Sequence, residues 1–199
     1  MTHNISYHRN KIGCVIVSNY GEKVMCKKLN ELYGMTPAKI IEKYADCKES
    51  YATDIFGILR NLKIPCYEQD FSELDVPRAA SITGAVILDG DKLKMYVSKK
   101  CSEEEQRFIV AHELGHCCLH KEVLKNNRVE FFGPPIEGED ESHEAEADRF
   151  AMELLIPEGK LRTVRSLLIR KRLAFLAESF VVPSEIMRER HKMLELKYE

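Results

Sequence analysis

The 199-residue chain lacks a strong net charge, a long apolar run and any paired-cysteine motif, and each absence removes a class of function. With 30 basic and 32 acidic residues, the net charge is −2. A general nucleic-acid binder carries a clear surplus of positive charge, so that class is excluded. No stretch approaches the roughly 20 apolar residues that cross a bilayer, and the first residues lack the charged-then-apolar pattern of a signal peptide. The expectation is a cytoplasmic protein without a membrane span. Seven cysteines (Cys14, Cys26, Cys47, Cys66, Cys101, Cys117 and Cys118) are odd in number and lack Cys-x-x-Cys spacing. They read as free thiols in a reducing compartment. No internal repeat is present. The length suits one domain with a sound core and room for a small extension.

What the chain has is the segment His112-Glu113-Leu114-Gly115-His116. On a helix, residues four apart stand one above the other, so His112 and His116 can turn their nitrogens toward one ion. Glu113 lies about 100° round the helix. There it can reach a water at the metal without replacing a ligand, which is where the general base of metal-assisted hydrolysis must stand. Three fixed residues are not specific by themselves, but the surrounding helix is well signalled. Ser102 with Glu105 fits a capping box, and Glu103 and Glu104 suit the positive end of the helix dipole. Phe108, Ala111, Gly115 and Leu119 lie roughly together as an apolar row. Glu105, Ile109, His112, His116 and His120 form a stripe at its edge.

A second segment, Glu144 to Pro157, reads as another helix, with Asp140 or Ser142 as its cap and Pro157 stopping it near Ile156. Ala147, Phe150, Ala151, Leu154 and Leu155 form its apolar face. Glu144 and Asp148 share the stripe bordering that face. A catalytic zinc takes three protein ligands and keeps one open position; His112, His116 and Glu144 supply the three. Asp148 can accept a hydrogen bond from the far nitrogen of a ligating histidine, fixing its tautomer. Glu146 is the rival third ligand, but it stands only two residues from Asp148 and so faces elsewhere. Ligand type favours zinc in a hydrolase, while manganese and iron stay open. Cys117 and Cys118 read as small helix residues; adjacent positions point about 100° apart, so at most one can approach the ion.

Together, His-Glu-Leu-Gly-His and the later Glu-x-x-Ala-Asp-x-Phe-Ala-x-x-Leu-Leu-x-Pro resemble the ImmA/IrrE family of metallopeptidases. The similarity covers roughly Met35 to Met193. It includes Ala177-Glu-Ser-Phe180-Val-Val182-Pro183, after which Arg188 is offset by one or two positions from the family's pattern. The resemblance implies that His112, His116 and Glu144 hold Zn2+ and that Glu113 is the catalytic base. It also implies an α+β fold, a mostly helical zincin-like metallopeptidase domain with a small β-sheet next to the metal helix. Its substrate would be a protein, a helix-turn-helix repressor of a mobile element or stress response.

Along the chain, residues 1–27 read as an N-terminal hairpin or arm, with a strand at Ile12–Val17 and a turn at Asn19–Gly21. Residues 28–160 read as the metallopeptidase domain and 161–199 as a C-terminal helical segment. A helix starts after Thr36-Pro37 and runs to about Tyr44, and another covers Tyr51 to Leu62. Ile64 to Phe71 reads as a strand. Ile82 to Leu88 and Leu93 to Val97 flank Asp89-Gly90-Asp91, a hairpin signal. Gly133-Pro134-Pro135 and the acidic run Glu137 to Glu141 read as a loop. Glu158 to Glu178 reads as basic and helical, and a last helix follows Pro183 and ends near Lys197.

Other polar residues carry competing readings. His120 can extend the site or bind substrate, or it simply closes the metal helix as a cation suited to the dipole, the simpler account. His143 neighbours Glu144 but points about 100° away. With Tyr96, these are the candidates for contacting substrate or an oxyanion. The basic run at 162–172 reads as a solvated face. The function expected is zinc-dependent hydrolysis of a peptide bond in a specific protein. The alternatives are a zinc-binding regulator with little hydrolysis, acting by partner contact, and a DNA-contacting protein using the basic helix.

Overall fold

The computed structural model describes residues 27–46, 50–74, 79–90, 92–133, 141–167 and 173–196. Residues 1–26 of the expected N-terminal hairpin or arm, 134–140 of the expected loop and 168–172 of the basic run lie outside these residues.

The described chain begins with three short helices, α1 (Lys27–Leu32), α2 (Pro37–Tyr44) and α3 (Ile55–Leu62). Thr36 caps α2 and accepts from the Lys39 amide, with Pro37 at the first helical position; proline fits there because its missing N–H has no partner to lose. Then come β1 (Cys66–Gln69) and the hairpin of β2 (Gly84–Asp89) and β3 (Lys92–Ser98), which turns at Gly90 with φ +64°. The metal-motif helix α4 (Glu103–Leu119) follows, then α5 (Lys121–Asn127), β4 (Val129–Phe132) and α6 (Glu141–Leu155). The last elements are α7 (Glu158–Leu167), α8 (Leu173–Phe180) and α9 (Ser184–Met193). The fold is α+β and mostly helical, with a small mixed sheet against the metal-motif helix, as expected.

The sheet runs β1-β3-β2-β4, with β1 parallel to β3 and the other pairs antiparallel. Alternation along the strands gives it two apolar faces. Val86, Leu88, Leu93, Met95 and Val97 join the main core beneath α4, while Ala85, Ile87 and Tyr96 pack with Phe71 and Ile82 on the other face. At the head of β2, Gly84 opposes both Val97 and Phe132. A Cβ there would fall 2.2 Å from Ile109 Cγ2, so glycine lets the strand lie against α4.

Helix α4 is the centre of the molecule. Its capping box is formed: Ser102 Oγ accepts from the Glu105 amide at 3.3 Å, and Glu105 Oε2 accepts from the Ser102 amide at 2.7 Å. Every residue from Arg107 to Cys118 is buried. The Arg107 guanidinium donates to the Val181 carbonyl at 2.9 Å and to the Thr53 carbonyl at 2.8 Å, joining three distant segments. Against α4 lies α6. A Cβ on Gly115 would stand 3.2 Å from both Cα and O of Ala147 and 3.3 Å from Phe150 Cβ, so the two helices cross at a glycine–alanine contact.

Several boundaries differ from the sequence reading. Helix α3 begins at Ile55, not Tyr51, because Asp54 takes the cap position and its Oδ1 accepts from the Gly57 amide at 2.8 Å. Strand β1 stops at Gln69, and Asp70 caps a 3-10 turn at Phe71–Glu73. The basic stretch carries α7 and α8, with 168–172 outside the described residues, and the last helix ends at Met193. Helices α1 and α5 and strand β4 were not foreseen. Strand β4 is four residues long and exists through its pairing with β2 more than forty residues upstream, a long-range contact that no local pattern announces.

Overpacking a tight helix crossing typically costs 1–3 kcal/mol. Gly115→Val is therefore expected to lower stability by about 2 kcal/mol, read as a reduced urea midpoint, despite the better intrinsic helix propensity of valine.

Candidate metal centre

The crossing of α4 and α6 brings together residues that lie some thirty positions apart. His112 and His116, one turn apart on α4, approach to 2.9 Å between their Nε2 atoms. The Glu144 carboxylate of α6 stands opposite, with Oε2 3.1 Å from His112 Nε2 and Oε1 3.3 Å from His116 Nε2. One ligand atom from each of the three residues lies within 4.8 Å of the others. Among the described residues no other cluster of this kind occurs.

The chemistry of these atoms fits a cation. His112 Nδ1 is 2.8 Å from Asp148 Oδ1, also on α6. A carboxylate only accepts, so Nδ1 carries the proton and Nε2 offers a lone pair. That lone pair faces a second imidazole nitrogen and a carboxylate. In the absence of metal, a proton relieves this crowding of acceptors. Burial opposes a charge on His112, but hydrogen bonds to Asp148 and Glu144 outweigh it and push its pKa up to about 9. For Glu144, burial acts against ionisation; the bonds from His112 and His116 prevail and hold the carboxyl well below the usual carboxylate range.

Glu113 sits beside this cluster in a different environment. It is 1 % exposed and neither carboxylate oxygen has a hydrogen-bond partner. Burial pushes its pKa up to about 8; His112 pulls it down, and Glu130 and Glu144 push it further up. Phe132 of β4 packs its ring 4.4 Å from His112. A Cβ on Gly84 would come within 3.6 Å of Glu113 Oε1. The head of β2 and the end of β4 thus wall the side of the cluster where Glu113 lies.

The structure brings together His112, His116, Glu144 and Asp148, with Glu113 alongside. Glu146 stands apart from the triad and bonds His120, with Oε2 3.0 Å from Nε2. His120 closes α4, as one of its readings expected, but the rest of the site environment disfavours a cation there. It is buried, burial lowers its pKa, and its Nδ1 lies 2.9 Å from His116 Nδ1. His143 packs against His120 with the rings tilted by 37° and their centroids 4.3 Å apart, and is no part of the triad. Tyr96 points to the opposite face of the sheet, where it packs against Tyr67 with centroids 5.4 Å apart. The hairpin alternation that makes Met95 and Val97 face α4 turns Tyr96 away from the cluster. Cys117 and Cys118 are buried in α4 outside the triad, and burial pushes the Cys118 thiol up to about 12. Sequence reasoning missed Phe132 and Gly84. The periodicity of the hairpin signals a strand at Gly84, but nothing local ties either residue to the histidines.

A buried carboxylate without partners weakens the fold that contains it. The Glu113 carboxyl, raised from 4.5 to about 8 in the folded protein, is protonated there at pH values where the unfolded chain is ionised. Folded stability therefore falls as pH rises through that window. Glu113→Gln is expected to stabilise the metal-free protein by on the order of a few kcal/mol at about pH 9, at about 1.4 kcal/mol per pKa unit. The advantage should vanish as pH falls toward 4.5, and thermal melts across pH measure it.

No helix among the described residues is long and apolar enough to cross a membrane. A search of curated proteins finds no match to the chain. The profile of the IrrE N-terminal-like domain, a peptidase family, matches residues 83–192. The matched region begins at the head of the hairpin, contains the whole cluster and runs into α9. It spans more than half of the chain, which therefore belongs to the IrrE N-terminal-like family of metallopeptidases.

Proposed function

We propose that this chain is a zinc-dependent endopeptidase in which His112, His116 and Glu144 hold the metal and Glu113 is the general base. The observation that carries the reading is the convergence of two Nε2 atoms and one carboxylate beside a buried, unpartnered glutamate. When bound, zinc polarises a carbonyl oxygen and lowers the pKa of water toward neutrality.

Glu113 supplies the proton traffic. A base is most effective when its pKa lies near the working pH, and burial moves this carboxyl from the ordinary range toward neutrality. With no competing partner, its oxygens are free to accept the proton of the attacking water and return it to the leaving nitrogen. Asp148 holds His112 by its Nδ1–H and fixes which nitrogen faces the metal. Phe132 packs against the His112 ring and shields that side from solvent. Family membership supports a protein substrate; the narrower reading, a helix-turn-helix repressor of a mobile element or stress response, follows the resemblance of the motifs.

The test is metal content with cleavage in the same preparations. The parent protein is expected to hold about one zinc per chain, and His112→Ala and Glu144→Ala to lose it. Glu113→Gln should keep the metal and lose cleavage by about 10²-fold or more. A Glu113→Gln protein that still cuts would overturn the peptidase mechanism. Normal metal content with no cleavage by the parent of any repressor tested would favour a zinc-binding regulator acting by contact.

A further inference from the structure

We propose that His120 and Glu146 are positioning residues that turn the Nε2 lone pair of His116 toward the metal. The inference rests on the metal reading above and concerns residues outside the ligand set. Both histidines of the motif present Nε2 to the cluster, so each needs its proton on Nδ1. For His112 the cause is direct, because Asp148 accepts from Nδ1. His116 has no carboxylate at its Nδ1. It has another imidazole, His120, with the two Nδ1 atoms 2.9 Å apart.

Two imidazole nitrogens that face each other must divide one proton between them, and the outer end of the pair decides how. His120 Nε2 lies 3.0 Å from Glu146 Oε2, and a carboxylate accepts. The His120 proton is therefore on Nε2, which leaves Nδ1 of the neutral ring as an acceptor. His116 Nδ1 must then be the donor, and its Nε2 keeps the lone pair. The opposite arrangement, with His120 donating to His116, would put a proton on His116 Nε2, pointing at the metal. Glu146 disfavours it. The bonds run in one direction: His116 Nδ1–H to His120, then His120 Nε2–H to Glu146.

The backbone arranges this chain. His112, His116 and His120 lie on one stripe of α4, and the last of them sits at the joint where α4 gives way to α5. The His120 amide donates to the His116 carbonyl at 2.8 Å, which fixes its backbone to the last turn. Its ring is buried, with the His143 ring tilted against it at 4.3 Å between centroids. Glu144, Glu146 and Asp148 all come from α6. One short acidic segment thus reaches the triad directly, His112 through Asp148, and His116 through His120.

The experiment is zinc affinity by chelator competition, with the absorption spectrum of the cobalt-substituted protein as a second readout. Removing such an outer partner typically weakens metal binding 10–100-fold. His120→Ala is expected to weaken zinc binding by about that factor and to alter the cobalt bands. Glu146→Ala is expected to weaken it by about tenfold. The Glu146 side chain is 59 % exposed, so this variant should fold with the parent melting temperature when metal-free, and it decides the matter if His120→Ala does not fold. His120→Gln keeps an acceptor and a donor on one group and should recover most of the lost affinity. A purely space-filling role predicts no such recovery. Parental affinity in both alanine variants, or His120→Gln no better than His120→Ala, would overturn the inference. A parent that binds no zinc would instead remove the metal reading itself.

Discussion

The close crossing of α4 and α6 at Gly115 and Ala147 is the contact on which the rest of the site depends. Two histidines one turn apart on α4 define only a direction. They become part of a cluster because α6 passes near enough for Glu144 to reach both Nε2 atoms and for Asp148 to reach the back of His112. A Cβ at Gly115 would already meet Ala147 at 3.2 Å, so a larger residue there would press the helices apart and lengthen the contacts of about 3 Å between them. The glycine inside the motif is thus a packing residue with a chemical consequence. It accepts a helix-propensity penalty of about 1 kcal/mol in exchange for the approach.

The second constraint is that α4 is both the core of the protein and the carrier of its polar groups. A helix buried on all sides is ordinarily apolar. Here His112, Glu113, His116 and His120 are buried among Leu114, Val110 and Cys117. Three of the four find partners, and Glu113 does not. The fold tolerates this because the capping box at Ser102, the sheet on one face and α6 on another hold the helix independently of these four side chains. Stability lost at the site is offset by packing elsewhere.

Much of this was legible in the sequence. Ser102 and Glu105 announced the start of α4, and the spacing of His112, His116, Glu144 and Asp148 announced which side chains share a stripe. These are local facts with a period of 3.6 residues. What stayed hidden was non-local. Strand β4 exists because it pairs with β2, and Phe132 reaches His112 because Gly84 lets that edge sit close. His120 was misjudged for a related reason. Its position at a helix end was readable, but its burial depends on α6, so a group expected to close the helix as a cation is a buried, hydrogen-bonded link. The apolar-polar alternation that found the hairpin also held the answer for Tyr96, which shares a face with Ala85 and Ile87.

The buried guanidinium of Arg107 ties the helices that follow α6 to the first half of α4. Its two hydrogen bonds end on the carbonyls of Thr53 and Val181, one well before the motif and one well after it. Val181 lies in the left-handed turn between α8 and α9, with φ +52°. A chain ending soon after α6 would keep every residue of the cluster and leave a buried charge-bearing donor without its acceptor, at a cost of about 1–3 kcal/mol. The C-terminal helices therefore serve as a clamp on the N-terminal half of the metal helix.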